Sequence, residues 1–176
     1  MKFNQIISIF IFLSISLSIT LQEVYDSALP GYGYDKYIVL EPDNIYTGNI
    51  GIFEGNVFID CQGSILDLLN GSGIWVYADE DYQASLDIEY CTIYDSQWGG
   101  LNYYGISNGN ITNCNFMEHD IGLMIFDQSN VIIKNSNFIN NERYGLGIIT
   151  ELPHVEISYS NFWGNEEADC MENCPG

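Results

Sequence analysis

The chain has 176 residues, 47% of them hydrophobic, which is typical of one folded domain. Its 24 acidic residues outnumber its four basic ones, for a formal charge of −20. This charge excludes nucleic acid as a partner, because phosphate contacts need Lys and Arg, and it argues against docking on anionic lipid. The 17 glycines and 13 tyrosines favour strands and turns over a helical bundle.

The first segment, residues 1–21, predicts a secretory signal peptide. Lys2 supplies a positive charge, and an apolar run interrupted only by serines follows from Ile6 to Leu17. We expect cleavage between Ser18 and Gln22, although the run also approaches the length of a membrane anchor. No second apolar run of that length occurs in the sequence, so we expect a secreted or cell-surface protein without a membrane span in the mature chain.

Two patterns repeat along the chain with one period. Segments 86–93, 109–116, 131–138 and 155–162 align without gaps and end on a large apolar residue, with spacings of 23, 22 and 24 residues (Ile93, Phe116, Phe138 and Phe162). Between them, a glycine followed by an aliphatic residue recurs with spacings of 27, 22 and 23 residues (Gly73, Gly100, Gly122 and Gly145). A period this short, with apolar residues alternating along short runs, predicts parallel strands stacked coil upon coil.

The stacking predicts columns of equivalent residues. Apolar columns should fill the interior (Leu101, Leu123 and Leu146; Phe116, Phe138 and Phe162). Small residues should line a tight corner (Cys91, Cys114, Ser136 and Ser160). Polar residues should form a hydrogen-bonded ladder at a bend, where Asn tolerates left-handed dihedrals (Thr92, Asn115, Asn137 and Asn161).

The repeats NITNCNF and VIIKNSNF resemble the right-handed parallel β-helix family, the pectate-lyase-like superfold, over about residues 37–165. The segment 37–66 is similar to the first coil of such proteins. The resemblance implies an all-β, single-stranded right-handed parallel β-helix, or solenoid, of about five to six coils. A leucine-rich repeat has a similar period, but its leucine/asparagine consensus is absent from this sequence. Many functions share the β-helix fold, so the resemblance transfers no activity.

The segments outside the repeats have predicted roles of their own. Residues 22–36 are predicted to be an N-terminal cap or linker, and segment 77–90 carries a protruding loop. Residues 166–176 read as an acidic, Cys-containing tail. No C-terminal cap is visible in the sequence, so we expect either further chain beyond a truncated reading frame or a partner covering that end.

Alternation within the glycine strands predicts an outward apolar column of Tyr77, Tyr104, Phe126 and Ile149, with Trp75, Asn102, Met124 and Gly147 also facing out. Trp75, Tyr77, Tyr104 and Phe126 are therefore the candidate ligand-binding residues, because flat aromatic faces stack on sugar rings. The alternative is that a loop, the segment 22–36 or a neighbouring subunit covers the column.

Asp120 and Arg143 lie on successive coils, with Trp98 one coil before them, and are the candidate catalytic pair. The family resemblance implies that polysaccharide lyases of this fold use acidic residues to hold calcium and an Arg or Lys as base. The alternative is a plain cross-coil ion pair. The Asn-Thr-Asp, Asp-Asp and Gly-His-Gly signatures of the glycosidase branch do not occur in the sequence, and His119 and His154 are interpreted as isolated surface groups.

Acidic residues and cysteines supply the remaining candidates. Asp79, Glu80 and Asp81 are candidate Ca²⁺ ligands, as is the acidic cluster 166–169, although a solvated acidic surface is the favoured interpretation of both. No other cofactor is expected. Of the five cysteines, Cys170 and Cys174 are predicted to form a local disulfide, and Cys91 and Cys114 suit a thiol column better than a disulfide.

These observations predict a secreted β-helix repeat protein acting as a non-catalytic surface or carbohydrate-contacting module, whose partner is a polysaccharide or another protein subunit. Two alternatives stay open: the N-terminal fragment of a polysaccharide lyase or glycoside hydrolase, and a structural adhesin or surface-layer segment. The sequence carries no lyase or glycosidase signature, so the expectation leans away from an enzyme.

Overall fold

A computed structural model describes residues 19–149 and 154–172, and these residues form a parallel β-solenoid of six coils. The predicted all-β fold and coil number are confirmed. Every pairing between the named strands is parallel, and strands of the inner coils pair with the equivalent strands of the coils before and after them.

The chain enters through β1 (Ile19–Thr20) and the helix α1 (Leu21–Ser27). The first two coils are formed by β2 (Lys36–Val39), β3 (Ile45–Thr47) and β4 (Gly51–Ile52), then β5 (Gly55–Asp60), β6 (Ile65–Gly71) and β7 (Ile74–Ala78). The next two are formed by β8 (Ala84–Glu89) and β9 (Thr92–Gly105), then β10 (Asn108–Thr112) and β11 (Asn115–Ile125). The last two are formed by β12 (Asn130–Lys134), β13 (Asn137–Ile139) and β14 (Tyr144–Ile148), then β15 (His154–Ser158), β16 (Asn161–Trp163) and β17 (Ala168–Glu172).

The strands lie in three parallel columns around one apolar interior. One column is the six-stranded sheet β2-β5-β8-β10-β12-β15. The other two columns are joined into an eleven-stranded sheet, because the long strands β9 and β11 run through both. The interior therefore runs the length of the stack.

The predicted interior columns are confirmed. Leu123 pairs in register with Leu101 on one side and Leu146 on the other. Phe116, Phe138 and Phe162 stack with ring centroids 5.0 and 4.8 Å apart. The first two phenylalanines are fully buried, and Phe162, on the last described coil, is only partly buried.

The repeated glycines occupy one column because the coils approach each other closely there. A Cβ on Gly122 would lie 2.6 Å from the carbonyl oxygen of Gly145. On Gly100 it would lie 2.8 Å from the carbonyl oxygen of Gly122, and 2.5 Å from the His119 ring. Glycine therefore recurs at this position of each coil because the neighbouring coil leaves no space for a side chain.

The register of the polar ladder is confirmed, with amide contacts from Thr92 to Asn137, but its conformational explanation is corrected. Asn137 Nδ2 donates to Asn115 Oδ1 over 2.8 Å, and Asn115 Nδ2 donates to Thr92 Oγ1 over 3.2 Å. The left-handed residues are two positions earlier, at Asn113 and Asn135, with φ of 56° and 54°. Tyr90 and Tyr159 adopt the same conformation at the equivalent corner, so the bend accepts residues other than Asn.

The cysteine column contains a disulfide, so Cys91 is not the free thiol that was predicted, although it is not bonded to Cys114, as expected. Cys61 and Cys91 on adjacent coils are bonded, with their Cα atoms 4.9 Å apart, within the range that disulfides require. Cys114 is the free, buried thiol of the described residues. The sequence alignment began at Cys91 and therefore missed Cys61, which occupies the corner of the preceding coil.

The N-terminal end of the solenoid is covered by β1 and α1, which begin inside the segment predicted to be a signal peptide. Ile19 and Thr20 pair with β3, and Leu21 is fully buried in the core. Thr20 caps α1 in a capping box with Glu23. Helix α1 packs Val24 and Tyr25 against the core, as a cap would. The rest of the predicted signal peptide lies outside the described residues.

The segment interpreted as an acidic tail contains a strand. Residues 168–172 form β17, which pairs in register with β14, so the solenoid extends beyond the predicted limit at residue 165. Cys170 packs against the core and is disulfide-bonded. Because Cys174 lies outside the described residues, the pairing of these two cysteines stays a prediction. In the described part of the chain, no helix is long and apolar enough to cross a membrane.

Candidate functional site

Three of the four candidate aromatic residues form a stack on the outside of the coils. The Trp75 and Tyr104 rings are parallel with centroids 5.0 Å apart, and the Tyr104 and Phe126 rings are 4.2 Å apart. We call these three rings the aromatic stack. Tyr77 pairs in register with Tyr104, as predicted, but its side chain lies elsewhere, in the cavity described below.

The aromatic stack is poorly shaped for binding sugars face to face. Tyr104 has a ring on each side, so neither of its faces is free for a ligand. Burial, with the nearby Asp127 carboxylate, raises the pKa of Tyr104 to about 12. The aromatic stack, like the phenylalanine stack in the interior, joins rings on successive coils. Such contacts between coils stabilise the solenoid.

Neighbouring residues predicted to face solvent are buried, which corrects the expectation for Asn102, Met124 and Gly147. The Asn102 amide folds back on the strand and donates to the carbonyl oxygens of Ile74 and Gly99. A Cβ on Gly99 would meet both Asn102 and Met124, so these side chains lie over a residue that has no side chain of its own.

A cavity of about 440 Å³ lies where α1 meets the first two coils. We call it the aromatic cleft; Tyr25, Gly51, Phe53, Glu54, Tyr77, Asp79 and Tyr82 line it. Four of these side chains are aromatic, and Phe53, Tyr77 and Tyr82 are 59, 42 and 59% exposed. Exposed rings around a concave surface with two carboxylates are typical of a ligand site.

Two local structures position the rings of the cleft. The predicted protruding loop follows β7, and Asp79 Oδ1 accepts hydrogen bonds from the backbone N–H groups of Asp81 (3.0 Å) and Tyr82 (2.8 Å). On the other side, Lys36 Nζ donates to the Tyr25 carbonyl oxygen over 2.8 Å and lies 4.5 Å from the Tyr25 ring centroid. Both walls are therefore held by hydrogen bonds.

The candidate calcium ligands lie in this same loop. Asp79 directs one carboxylate oxygen to the backbone, while Glu80 and Asp81 are exposed. Across residues 19–149 and 154–172, no three His, Cys, Asp or Glu side chains form a group that could hold a metal ion. The arrangement makes Asp79 a loop-forming residue, and calcium binding stays an untested expectation.

Asp120 and Arg143 are brought together as the sequence predicted. Arg143 Nε donates to Asp120 Oδ1 over 2.6 Å, and Arg143 Nη2 donates to Asp120 Oδ2. They line a cavity of about 510 Å³ with Trp98, Gln97 and Glu142. The hydrogen bond to Asp120 raises the pKa of Arg143 above its ordinary value, which keeps the guanidinium protonated and unsuited to accept a proton.

The comparisons with known proteins identify the repeat. The family model described as "right handed beta helix region" matches residues 42–173, which is most of the chain. The chain belongs to the right-handed β-helix family. No curated protein and no solved structure gave a significant match.

Membership in the β-helix family accounts for the coils and leaves the aromatic cleft unexplained. Tyr25 lies before the matched region, and the cleft exists because α1 packs beside the first two β-helix coils. Sequence reasoning selected Tyr77 and missed Tyr25 and Phe53. For Phe53 the sequence offered one signal, an aromatic residue followed by Glu54 and Gly55, where a turn is expected. The position of Tyr25 depends on the packing of α1.

His119 was interpreted as a surface group, and this is wrong: it is fully buried in the β-helix. The Ser96 N–H donates to His119 Nδ1 over 3.1 Å, so Nε2 carries the proton and donates to the Ile93 carbonyl oxygen over 3.0 Å. Desolvation lowers the pKa of His119 to about 4. His154, in contrast, is exposed and lies 3.2 Å from a Glu156 oxygen.

Proposed function

We propose that this protein is a non-catalytic carbohydrate-contacting module and that the aromatic cleft is its contact site. The observation that carries the proposal is the grouping of four aromatic side chains with Glu54 and Asp79 around one concave surface. Apolar ring faces pack against the C–H faces of a sugar, and carboxylates accept hydrogen bonds from its hydroxyl groups.

The geometry favours the cleft over the other candidate surfaces. In the aromatic stack, ring faces are used between coils. At the Asp120–Arg143 pair, each charged group has the other as its partner. In the cleft, Glu54 is exposed and accepts no hydrogen bond from the described residues, so its carboxylate is free for a ligand.

We also propose that the protein works outside the cell. The Cys61–Cys91 disulfide supports this location, because such bonds persist in oxidising compartments, and it agrees with the signal peptide predicted from the sequence. The enzyme-fragment and adhesin alternatives remain predictions. No contact among the described residues favours either of them over carbohydrate binding in the cleft.

A binding experiment tests the proposal. The full chain is screened against neutral, basic and acidic oligosaccharides, and affinities for the best ligand are measured by calorimetry. Phe53→Ala and Tyr82→Ala should each weaken binding about tenfold, the equivalent of about 1.4 kcal/mol.

The matched control is Tyr159→Ala, since Tyr159 is 90% exposed and lies in the last coil, away from the cleft. It should leave the affinity unchanged. No binding to any oligosaccharide overturns the proposal, as does an equal loss in all three variants. Turnover of a polysaccharide by the purified chain would contradict the non-catalytic part.

A further inference from the structure

The aromatic cleft continues on both sides into neighbouring cavities. One, of about 340 Å³, shares Gly51 and Phe53 with the cleft and reaches Trp75. The other, of about 410 Å³, shares Tyr25 and Glu54. We call the three together the acidic groove. Three adjoining cavities of about 340 to 440 Å³ offer room for a chain of several sugar units.

The charges that line the acidic groove are mostly negative. They are Asp35, Lys36, Glu54 and Asp79, three acidic residues against one basic residue. The Lys36 ammonium is already engaged by the carbonyl oxygen and the ring of Tyr25. Asp35 Oδ2 accepts from the Asn56 N–H over 2.7 Å. Glu54, where the aromatic cleft joins the cavity of about 410 Å³, has no protein donor among the described residues.

From these contacts we infer that the acidic groove selects oligosaccharides carrying protonated amino groups, the glucosamine type, over N-acetylated and uronate ones. The inference rests on the proposed function and names its ligand class. An ammonium group in the groove can pair with Glu54 and lie against the surrounding aromatic rings, as Lys36 lies against Tyr25. A uronate chain meets carboxylates instead, on a protein of formal charge −20.

Calorimetry with three hexasaccharides of different charge tests the inference on the full chain. A glucosamine hexamer, at a pH where its amines are protonated, should bind at least about tenfold more tightly than its N-acetylated counterpart, and a galacturonate hexamer should bind most weakly. The preference should shrink as salt is added. Glu54→Gln should bring the glucosamine and N-acetylated affinities to within about threefold of each other.

The matched control is Glu142→Gln, which removes the same charge from an exposed carboxylate at the Asp120–Arg143 cavity. It should leave the preference intact. Equal or tighter binding of the N-acetylated hexamer overturns the inference while leaving the proposed function standing. If Glu54→Gln and Glu142→Gln reduce the preference for the glucosamine hexamer equally, the attraction comes from the whole acidic surface, and the inference is overturned as well. Binding of none of the three hexamers, nor of any sugar in the earlier screen, overturns the proposed function itself.

Discussion

His119 illustrates at the scale of one residue how a polar group is accommodated inside the solenoid. Both ring nitrogens have backbone partners, the Ser96 N–H and the Ile93 carbonyl, which fixes one neutral tautomer. Its pKa falls from an ordinary 6.5 to about 4 because burial disfavours the charged ring. Between these two pH values the unfolded chain binds a proton that the folded chain does not.

We therefore expect His119 to make folding stability depend on pH. The neutral His119 ring contributes about 3 kcal/mol to the free energy of unfolding above pH 6.5, and this contribution is lost as the pH falls toward 4. Urea unfolding at several pH values should show a shallower decline for His119→Gln than for the native chain over this window.

The matched control is His154→Gln, since His154 is exposed. Its pH profile should follow that of the native chain. NMR titration offers a second reading, in which the His119 ring does not titrate above pH 5. An ordinary titration near pH 6.5 would contradict the buried neutral ring.

At the scale of strands, close approach of the coils explains the repeated glycines. A methyl group on Gly122 would collide with the backbone oxygen of Gly145, and backbone atoms move less easily than side chains. Gly147, on the neighbouring strand, has its nearest atoms at 3.4 Å, which is ordinary contact. The two glycines are thus a matched pair.

We expect Gly122→Ala to lower the free energy of unfolding by about 1–3 kcal/mol and Gly147→Ala to change it by less than about 1 kcal/mol. Chemical denaturation of both variants checks this. Equal losses of stability in the two variants would contradict this explanation, because they would show that the cost of alanine does not depend on the space between the coils.

The disulfide provides a second test at this scale. It joins residues separated by 30 positions, for which loop entropy predicts about 3–4 kcal/mol of stabilisation. The double variant Cys61→Ser with Cys91→Ser should lose about this amount in thermal or chemical unfolding.

Cys114→Ser is the control, because serine already occupies the same corner at Ser136, where its hydroxyl donates to the Lys134 carbonyl oxygen. It should cost less than about 1 kcal/mol. Burial raises the pKa of the Cys114 thiol to about 12, so alkylating reagents should label it only after unfolding. Rapid labelling of the folded chain would contradict its burial.

For the whole molecule, the N-terminal end of the solenoid constrains the predicted signal-peptide cleavage. The sequence allows cleavage anywhere between Ser18 and Gln22. A chain beginning at Gln22 would lack β1, the Thr20 cap of α1 and the buried Leu21 side chain. Burying a leucine side chain alone stabilises by about 1.5–3 kcal/mol.

We therefore expect the mature protein to begin at Ile19. N-terminal sequencing of protein exported by a secreting host tests this expectation. A chain expressed from Gln22 should melt at a lower temperature than one expressed from Ile19. Export with an N-terminus at Gln22, or melting at the same temperature, would contradict it.

The sequence by itself determined the coils. Equivalent residues recur every 22 to 24 positions, and stacked coils are the arrangement in which each strand buries one face against its neighbours. The apolar columns, the Asn115–Asn137 ladder and the Asp120–Arg143 contact all follow from that period, because parallel strands place equivalent residues side by side.

Only the tertiary structure decided what faces the surface and what it can bind. Alternation places Trp75, Tyr77 and Tyr104 outside the coils. It does not determine which rings stack and which line a cavity, because that depends on side-chain torsions and packing. The cleft also needs Tyr25 from α1, which no repeat spacing locates. Local periodicity determines the backbone path, whereas a site joins residues from different elements that meet only after folding.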